Sequence, residues 1–182
     1  MFIATMIAVI PVKLSVRLPG KHFLKFGNET MIERIYRKVS SVTETVIYSK
    51  IDLPVPYVVD DSHDIMHLVN ALKAKYNEFA LIGGDMPFFT VDDLRKLLSG
   101  YNGTPVTPVD SDGNIEPLFS IYRGGTVKAK NLREALVTSD TKFIPKEQFS
   151  SLAFFNVNTV EEYVSALRIH DEQQRESQIS GK

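Results

Sequence analysis

The chain has no cysteine, which removes disulfide scaffolds, thiolate metal clusters and cysteine nucleophiles from consideration. Neither sign of charge dominates: 21 Lys and Arg stand against 22 Asp and Glu, for a net charge of -1. No global attraction to nucleic acid or to a membrane surface is therefore expected, and any anion site has to be local. No apolar run reaches the ~18 residues needed to span a membrane. The N-terminal MFIATMIAVIPV is apolar but has neither a basic leading region nor a small-residue cleavage site. Its Ile and Val predict a buried strand rather than a signal peptide. Internal repeats and low-complexity tracts are lacking too. These absences leave a soluble, cytoplasmic protein without a nucleic-acid or membrane partner as the expectation. What is present is apolar content, 43% of 182 residues, enough for one sizeable core. One domain over residues 1–168 and a polar, fraying tail over 169–182 follow from it.

Strand and helix signals alternate along the first hundred residues. Ile3 to Pro11 predicts a strand, and Thr30 with Glu33 forms a capping-box pattern ahead of Ile32, Ile35, Tyr36 and Val39. TVIYS at 45–49 and PYVV at 56–59 predict short strands, and Ile65, Met66, Leu68, Val69 and Leu72 have helical spacing. EFALIGG is a continuous apolar strand, followed by a helix opened by Thr90 and Asp93 and ended at Gly100. Such alternation implies βαβ units and a mostly parallel sheet covered on both faces, a three-layer α/β/α Rossmann-like fold. Beyond Tyr101 the spacing predicts two strands around a turn at Asp112-Gly113, with Pro105 and Pro108 placing the first at a sheet edge. A helix from Val127 to Leu136, a strand at KFIP and a last helix from a Thr159–Glu162 capping box complete the chain.

In open α/β sheets ligands bind beyond the carboxyl ends of the strands. Three polar groups fall there: the loop IPVKLSVRLPGKHF, the Asp60-Asp61 pair, and Gly84-Asp85. Cations on one loop and carboxylates on two others suit a polyphosphate bridged by a divalent metal. The sequence has no G-x-G-x-x-G, and Gly20-Lys21-His22 is not a P-loop, so the charges have to act through side chains. HDIMH at 63–67 spaces two histidines as in a zinc helix, but Asp stands where Glu is needed and no third ligand is evident. A polar pair at a cleft edge is the better reading.

At these residues the sequence resembles the nucleotidyltransferases of the nucleotide-diphospho-sugar transferase fold, and within them the molybdenum cofactor guanylyltransferases. SVRLPGKHF resembles the signature loop, GGDMPFF the metal-binding strand end, EPLFSIYR a later strand, and FFNVNTVEEY the C-terminal asparagine segment. The likeness spans about residues 6–168. It implies transfer of a nucleoside monophosphate from GTP to a molybdopterin-type phosphate acceptor, with Mg²⁺ or Mn²⁺ as cofactor and pyrophosphate as product. By that resemblance Lys21 stabilises charge on the α-phosphate, Arg17 grips the departing pyrophosphate, and Asp85 holds the metal. Pro11, Val12, Lys13, Ser49 and Asp60 or Asp61 join Lys21 and Asp85 around the nucleotide, and Asn156 and Asn158 face the acceptor. One departure stands out: Ile10-Pro11-Val12-Lys13 replaces the glycines that end the first strand in the guanylyltransferases. Ile-Pro followed by Arg-Leu-Pro-Gly-Lys is more similar to the CMP-sugar synthetases. A cytidylyltransferase, or a relative that binds nucleotide without turnover, therefore stays open beside the guanylyltransferase reading.

Overall fold

The structure, a computed structural model, describes residues 6–181; the Ile3–Thr5 part of the expected first strand lies outside them. Strands β1 (Ile7–Val12), β2 (Lys25–Phe26), β3 (Glu29–Thr30), β4 (Thr45–Ser49), β5 (Val58–Val59), β6 (Glu78–Ile82), β7 (Val106–Val109), β8 (Phe119–Arg123) and β9 (Lys142–Pro145) are interleaved with helices α1 (Met31–Ser40), α2 (Ile65–Lys75), α3 (Val91–Ser99), α4 (Leu132–Leu136) and α5 (Val160–Ser180). A seven-stranded sheet in the order β5-β4-β1-β6-β8-β7-β9 forms the middle layer, and β2 and β3 make a separate small hairpin. β5, β4, β1 and β6 pair in parallel, β8 runs antiparallel between β6 and β7, and β9 is parallel to β7. The expected mixed, mostly parallel α/β sheet is the observed one.

Alternation along the strands feeds two cores, because successive residues point to opposite faces. Ala8, Ile10, Ala80 and Ile82 pack with Met31, Ile32, Ile35 and Val39 of α1 and Leu94 and Leu97 of α3. Val9, Phe79 and Leu81 pack on the other face with Leu68, Val69 and Leu72 of α2 and Leu136 of α4. The box predicted at α1 forms, and the Thr90–Asp93 start of α3 is a box as well: Thr30 accepts from Glu33 N–H and Thr90 from Asp93 N–H, while each acid reaches back to its threonine N–H. At α5 only half the box forms. Thr159 accepts from Glu162 N–H, but the Glu162 carboxylate takes the N–H of Asn158 at 2.7 Å.

Four local expectations are corrected. β7 is not an edge strand, because β9 docks outside it in register from Val106–Lys142 to Val109–Pro145. Helix α4 starts at Leu132 and not at Val127, since Asn131 caps it by accepting from Glu134 N–H while Val127 lies 81% exposed. α5 runs on to Ser180, past the last buried position, His170, where a fraying tail was expected. His63 lies outside α2, whose N-cap is Asp64, so the two histidines do not share a helical face. Their rings still stand 5.2 Å apart.

Candidate active site

The basic loop leaves β1 at Val12 and turns at Gly20, whose φ of 73° lies in the left-handed region that glycine enters without a Cβ penalty. One turn of 3₁₀ helix over Lys21–Phe23 follows, with Lys21 N–H on Leu18 O and Phe23 N–H on Gly20 O. The turn sends Lys21 inward, leaving it 8% exposed. Its ammonium donates to Asp85 Oδ2 at 3.0 Å and to Asn158 Oδ1 at 2.9 Å. Three segments far apart in sequence thus meet at one nitrogen.

Asp85 arrives from β6 through Gly83 and Gly84. A Cβ on Gly83 would sit 3.1 Å from Asp85 Oδ1 and 3.3 Å from Leu118 Cβ, so the glycine keeps room for the carboxylate. The Asp85 carbonyl accepts from Val157 N–H at 2.9 Å, tying this turn to the asparagine segment. Asp85 Oδ1 is buried and has no hydrogen-bond partner among the described residues. A buried bare carboxylate oxygen is costly unless a cation takes it, and the opposite oxygen is already on Lys21. Asp85 therefore fits a divalent cation, which would supply the missing positive charge at Oδ1. Among the described residues no group of three or more His, Asp or Glu side chains is placed to hold a metal by itself.

His22, next in the chain, is 4% exposed, beside Gly84. Burial first, then the neighbouring Lys21 charge, push its pKa down to about 4, against the opposing pull of Asp85. It is a neutral, packed imidazole at neutral pH. A second unanticipated feature lies behind the Asp85 turn. Lys38 of α1 is buried and donates to the carbonyls of Pro87 and Phe89, each at 2.6 Å, and Arg34 Nε adds a bond to Pro87 O at 3.0 Å. The available signal was spacing: Lys38 falls on the same helical face as Met31 and Ile35, where an apolar residue is the norm.

The other expected residues are placed differently. Arg17 and Lys13 are exposed and have no ion-pair partner among the described residues. Pro11 and Val12 belong to β1, paired with Tyr48 and Ser49, and Val12 is buried against Gly84. The buried Ser49 hydroxyl donates to Ile51 O and accepts from Ile51 N–H. Asp60 follows β5, its carboxylate held by Ser62 N–H at 2.9 Å and Lys50 at 3.7 Å; Asp61 is exposed. Asn156 donates to Phe154 O and does not join the Lys21 cluster. Two shallow cavities of about 230 and 480 Å³ open at the opposite, amino-terminal edge of the sheet, both lined by Asn77 and Glu78. The cation, carboxylate and amide meet elsewhere, and chemistry follows those groups and not the size of a hollow.

A family model described as a MobA-like NTP transferase domain matches residues 15–148. No curated protein matches in sequence. Among solved structures, the molybdopterin-guanine dinucleotide biosynthesis protein A of Archaeoglobus fulgidus superposes with a TM-score of 0.67 at 18% identity, over 90% of this chain and 99% of its own. A cytidylyltransferase of Leptospira borgpetersenii gives 0.65 at 15%, over 90% and 85%. A CMP:2-keto-3-deoxy-manno-octonic acid synthetase complexed with CTP gives 0.62 at 14%, over 95% and 100%. At such identities the structural likeness establishes the fold alone.

Proposed function

Because the chain belongs to the MobA-like NTP transferase family, we propose that it moves GMP from GTP onto the phosphate of a molybdopterin-type acceptor. An acceptor oxygen attacks the α-phosphorus, the bond to the β-phosphate oxygen breaks, and pyrophosphate leaves. The observation that carries this reading is the convergence of Lys21, Asp85 and Asn158 beyond the ends of the parallel strands. Phosphoryl-type transfer asks for alignment and charge neutralisation more than covalent help. Lys21, held by two partners, is a preorganised cation for the α-phosphate. Arg17 and Lys13, exposed and unpaired, are free to meet the β- and γ-phosphates, and the Arg17 fork suits a bidentate grip. Asp85 would hold Mg²⁺ or Mn²⁺ through Oδ1, and such an ion supplies neutralisation of phosphate charge. Asn158 and Asn156 would orient the acceptor, Asn158 being held by Glu162 through its own N–H.

A second reading has its own observation. Pro11 and the buried Val12 stand inside β1, so the strand end offers bulk and lacks a Pro11 N–H where a glycine-lined nucleotide site would offer backbone. That favours a cytidylyltransferase over a guanylyltransferase. A thermal-shift panel of GTP, CTP, ATP and UTP with Mg²⁺, followed by pyrophosphate release, decides between them. A nucleotide at 100 times its dissociation constant adds roughly 2.7 kcal/mol of stability. Stabilisation by CTP alone would overturn the guanine assignment, and binding without pyrophosphate release would make the chain a non-catalytic relative.

A further inference from the structure

The feature that the proposed chemistry does not absorb is the buried cation on α1. Lys38 lies 8% exposed with no carboxylate among the described residues bonded to it; its hydrogen bonds go to the carbonyls of Pro87 and Phe89, and its nitrogen sits 4.2 Å from the Phe89 ring centre. Taking an ammonium out of water costs several kcal/mol, and a methionine of similar length would fill the space without that cost. Burial, then Arg34 and Arg37 on its own helix, draw the Lys38 pKa down to about 7, against Glu29 of β3 and Asp93 of α3. Arg34 adds a second bond to Pro87 O, with its guanidinium 5.8 Å from the Phe88 ring. Both cations therefore grip one short turn, Met86–Phe89, whose Pro87 and Phe89 carbonyls they take up. Asp85 leads directly into that turn.

We propose that Lys38, with Arg34, is a positioning residue for the Asp85 carboxylate: it fixes the turn that carries Asp85 by holding the carbonyls two and four residues beyond it. On the other side Val157 N–H holds the Asp85 carbonyl itself, and Gly83 N–H bonds Leu118 O at 2.7 Å. Asp85 is clamped from α1, from β8's entry and from the asparagine segment, while its Oδ1 stays bare. Such support is what a metal-holding carboxylate needs in order to meet an ion within a few tenths of an ångström. The inference rests on the reading of Asp85 as that carboxylate.

The test is Mn²⁺ binding to the full chain without nucleotide, followed by paramagnetic resonance, for wild type, Lys38→Met, Lys38→Arg, Arg34→Gln and Asp85→Asn. Lys38→Met is expected to weaken Mn²⁺ about 10-fold, the low end of losing an outer partner of a metal site. Lys38→Arg, which keeps charge and donors, should recover to within about threefold, and Arg34→Gln should fall two- to fivefold. With saturating nucleotide, Lys38→Met should lower kcat and leave the nucleotide KM unchanged. A folded Lys38→Met with wild-type Mn²⁺ affinity overturns the proposal. If Lys38→Met does not fold, wild-type affinity in Arg34→Gln overturns it instead. Wild-type Mn²⁺ affinity in Asp85→Asn would remove the metal reading and this inference with it. Loss in Asp85→Asn without loss in Lys38→Met would remove this inference alone.

Discussion

Replacing Lys21 by methionine should move metal binding and catalysis in opposite directions. In the free protein Lys21 Nζ lies 3.0 Å from Asp85 Oδ2, with the two side chains only 10% and 18% exposed. Unit charges at that separation attract by roughly 5 kcal/mol at an effective dielectric of about 20. A dication arriving at Oδ1 meets a carboxylate already engaged and an ammonium that repels it. Removing the ammonium lifts both obstacles, and if a quarter to a half of the attraction is at stake, affinity changes by ~1.4–2.7 kcal/mol, or about 10- to 100-fold. Lys21→Met should therefore bind Mn²⁺ about 10- to 100-fold more tightly without nucleotide. On the proposed function the same change removes the cation that would face the α-phosphate, and it should lower kcat by on the order of a hundredfold or more. Without metal the variant should also melt earlier, because Asp85 loses its charge partner, and Mn²⁺ should restore it. Titration followed by paramagnetic resonance reads the first effect, and steady-state pyrophosphate release the second. Unchanged or weaker Mn²⁺ binding in Lys21→Met would refute the competition argument, and an intact kcat would refute the catalytic one.

The glycines before Asp85 should separate cleanly. A Cβ at Gly83 meets Asp85 Oδ1 and Met86 Cε at 3.1 Å, whereas one at Gly84 finds ordinary contacts of 3.4–3.5 Å with Val12 and His22; Gly83→Ala should weaken Mn²⁺ binding severalfold while Gly84→Ala leaves it near wild type. Lys13→Ala, which removes an exposed charge already available before reaction, should raise the nucleotide KM and spare kcat, a split that steady-state kinetics reads directly. The Lys38 pKa is lowered from 10.5 to about 7, so the unfolded chain binds the extra proton between those values and stability rises as pH goes from 7 towards 10.5. At about 1.36 kcal/mol per pH unit the span is on the order of 5 kcal/mol. Denaturant unfolding should show Lys38→Met losing that slope; an equal slope in both proteins would mean that Lys38 keeps its ordinary pKa and stays charged in its buried setting.

Legibility from sequence followed the range of the interactions. Thr30, Glu33, Thr90 and Asp93 announce their helices because a cap is satisfied within three residues. Lys21, Asp85 and Asn158 could be picked by resemblance, although the hydrogen bonds joining them span 64 and 137 positions. Position in the sheet was not legible in the same way. Pro105 and Pro108 read as edge residues because proline lacks a donor, but the edge is set by the distant Lys142–Pro145 segment, which pairs outside β7. The start of α4 was misplaced because the apolar Val127 counts in a periodicity pattern, while the Asn131 side chain decides where the helix begins. At α5, good helix formers such as Glu172, Gln173 and Arg175 carry the helix past the last buried residue without tertiary support. The Lys38 contacts were invisible for a plain reason. Their partners are backbone carbonyls 49 and 51 positions away, and carbonyls leave no signature in a sequence.

The basic loop therefore divides its charge by burial, and the division bears on mechanism. Lys21 is turned inward by Gly20 and fixed by two partners, so on the proposed function it would lose little freedom in taking a phosphate in place of Asp85 as its counter-charge. Arg17 and Lys13 stay in solvent, where long side chains move freely and carry about 2 kcal/mol of rotamer entropy each. An ordered cation can be aimed at charge that develops during reaction; a mobile one can only follow charge that is already present. With Val12 filling the end of β1 against Gly84, the strand end offers little backbone to a phosphate. On the proposed function, recognition would rest on these side chains instead of main-chain N–H groups, and nucleotide binding is then expected to be more sensitive to salt than at a glycine-lined loop.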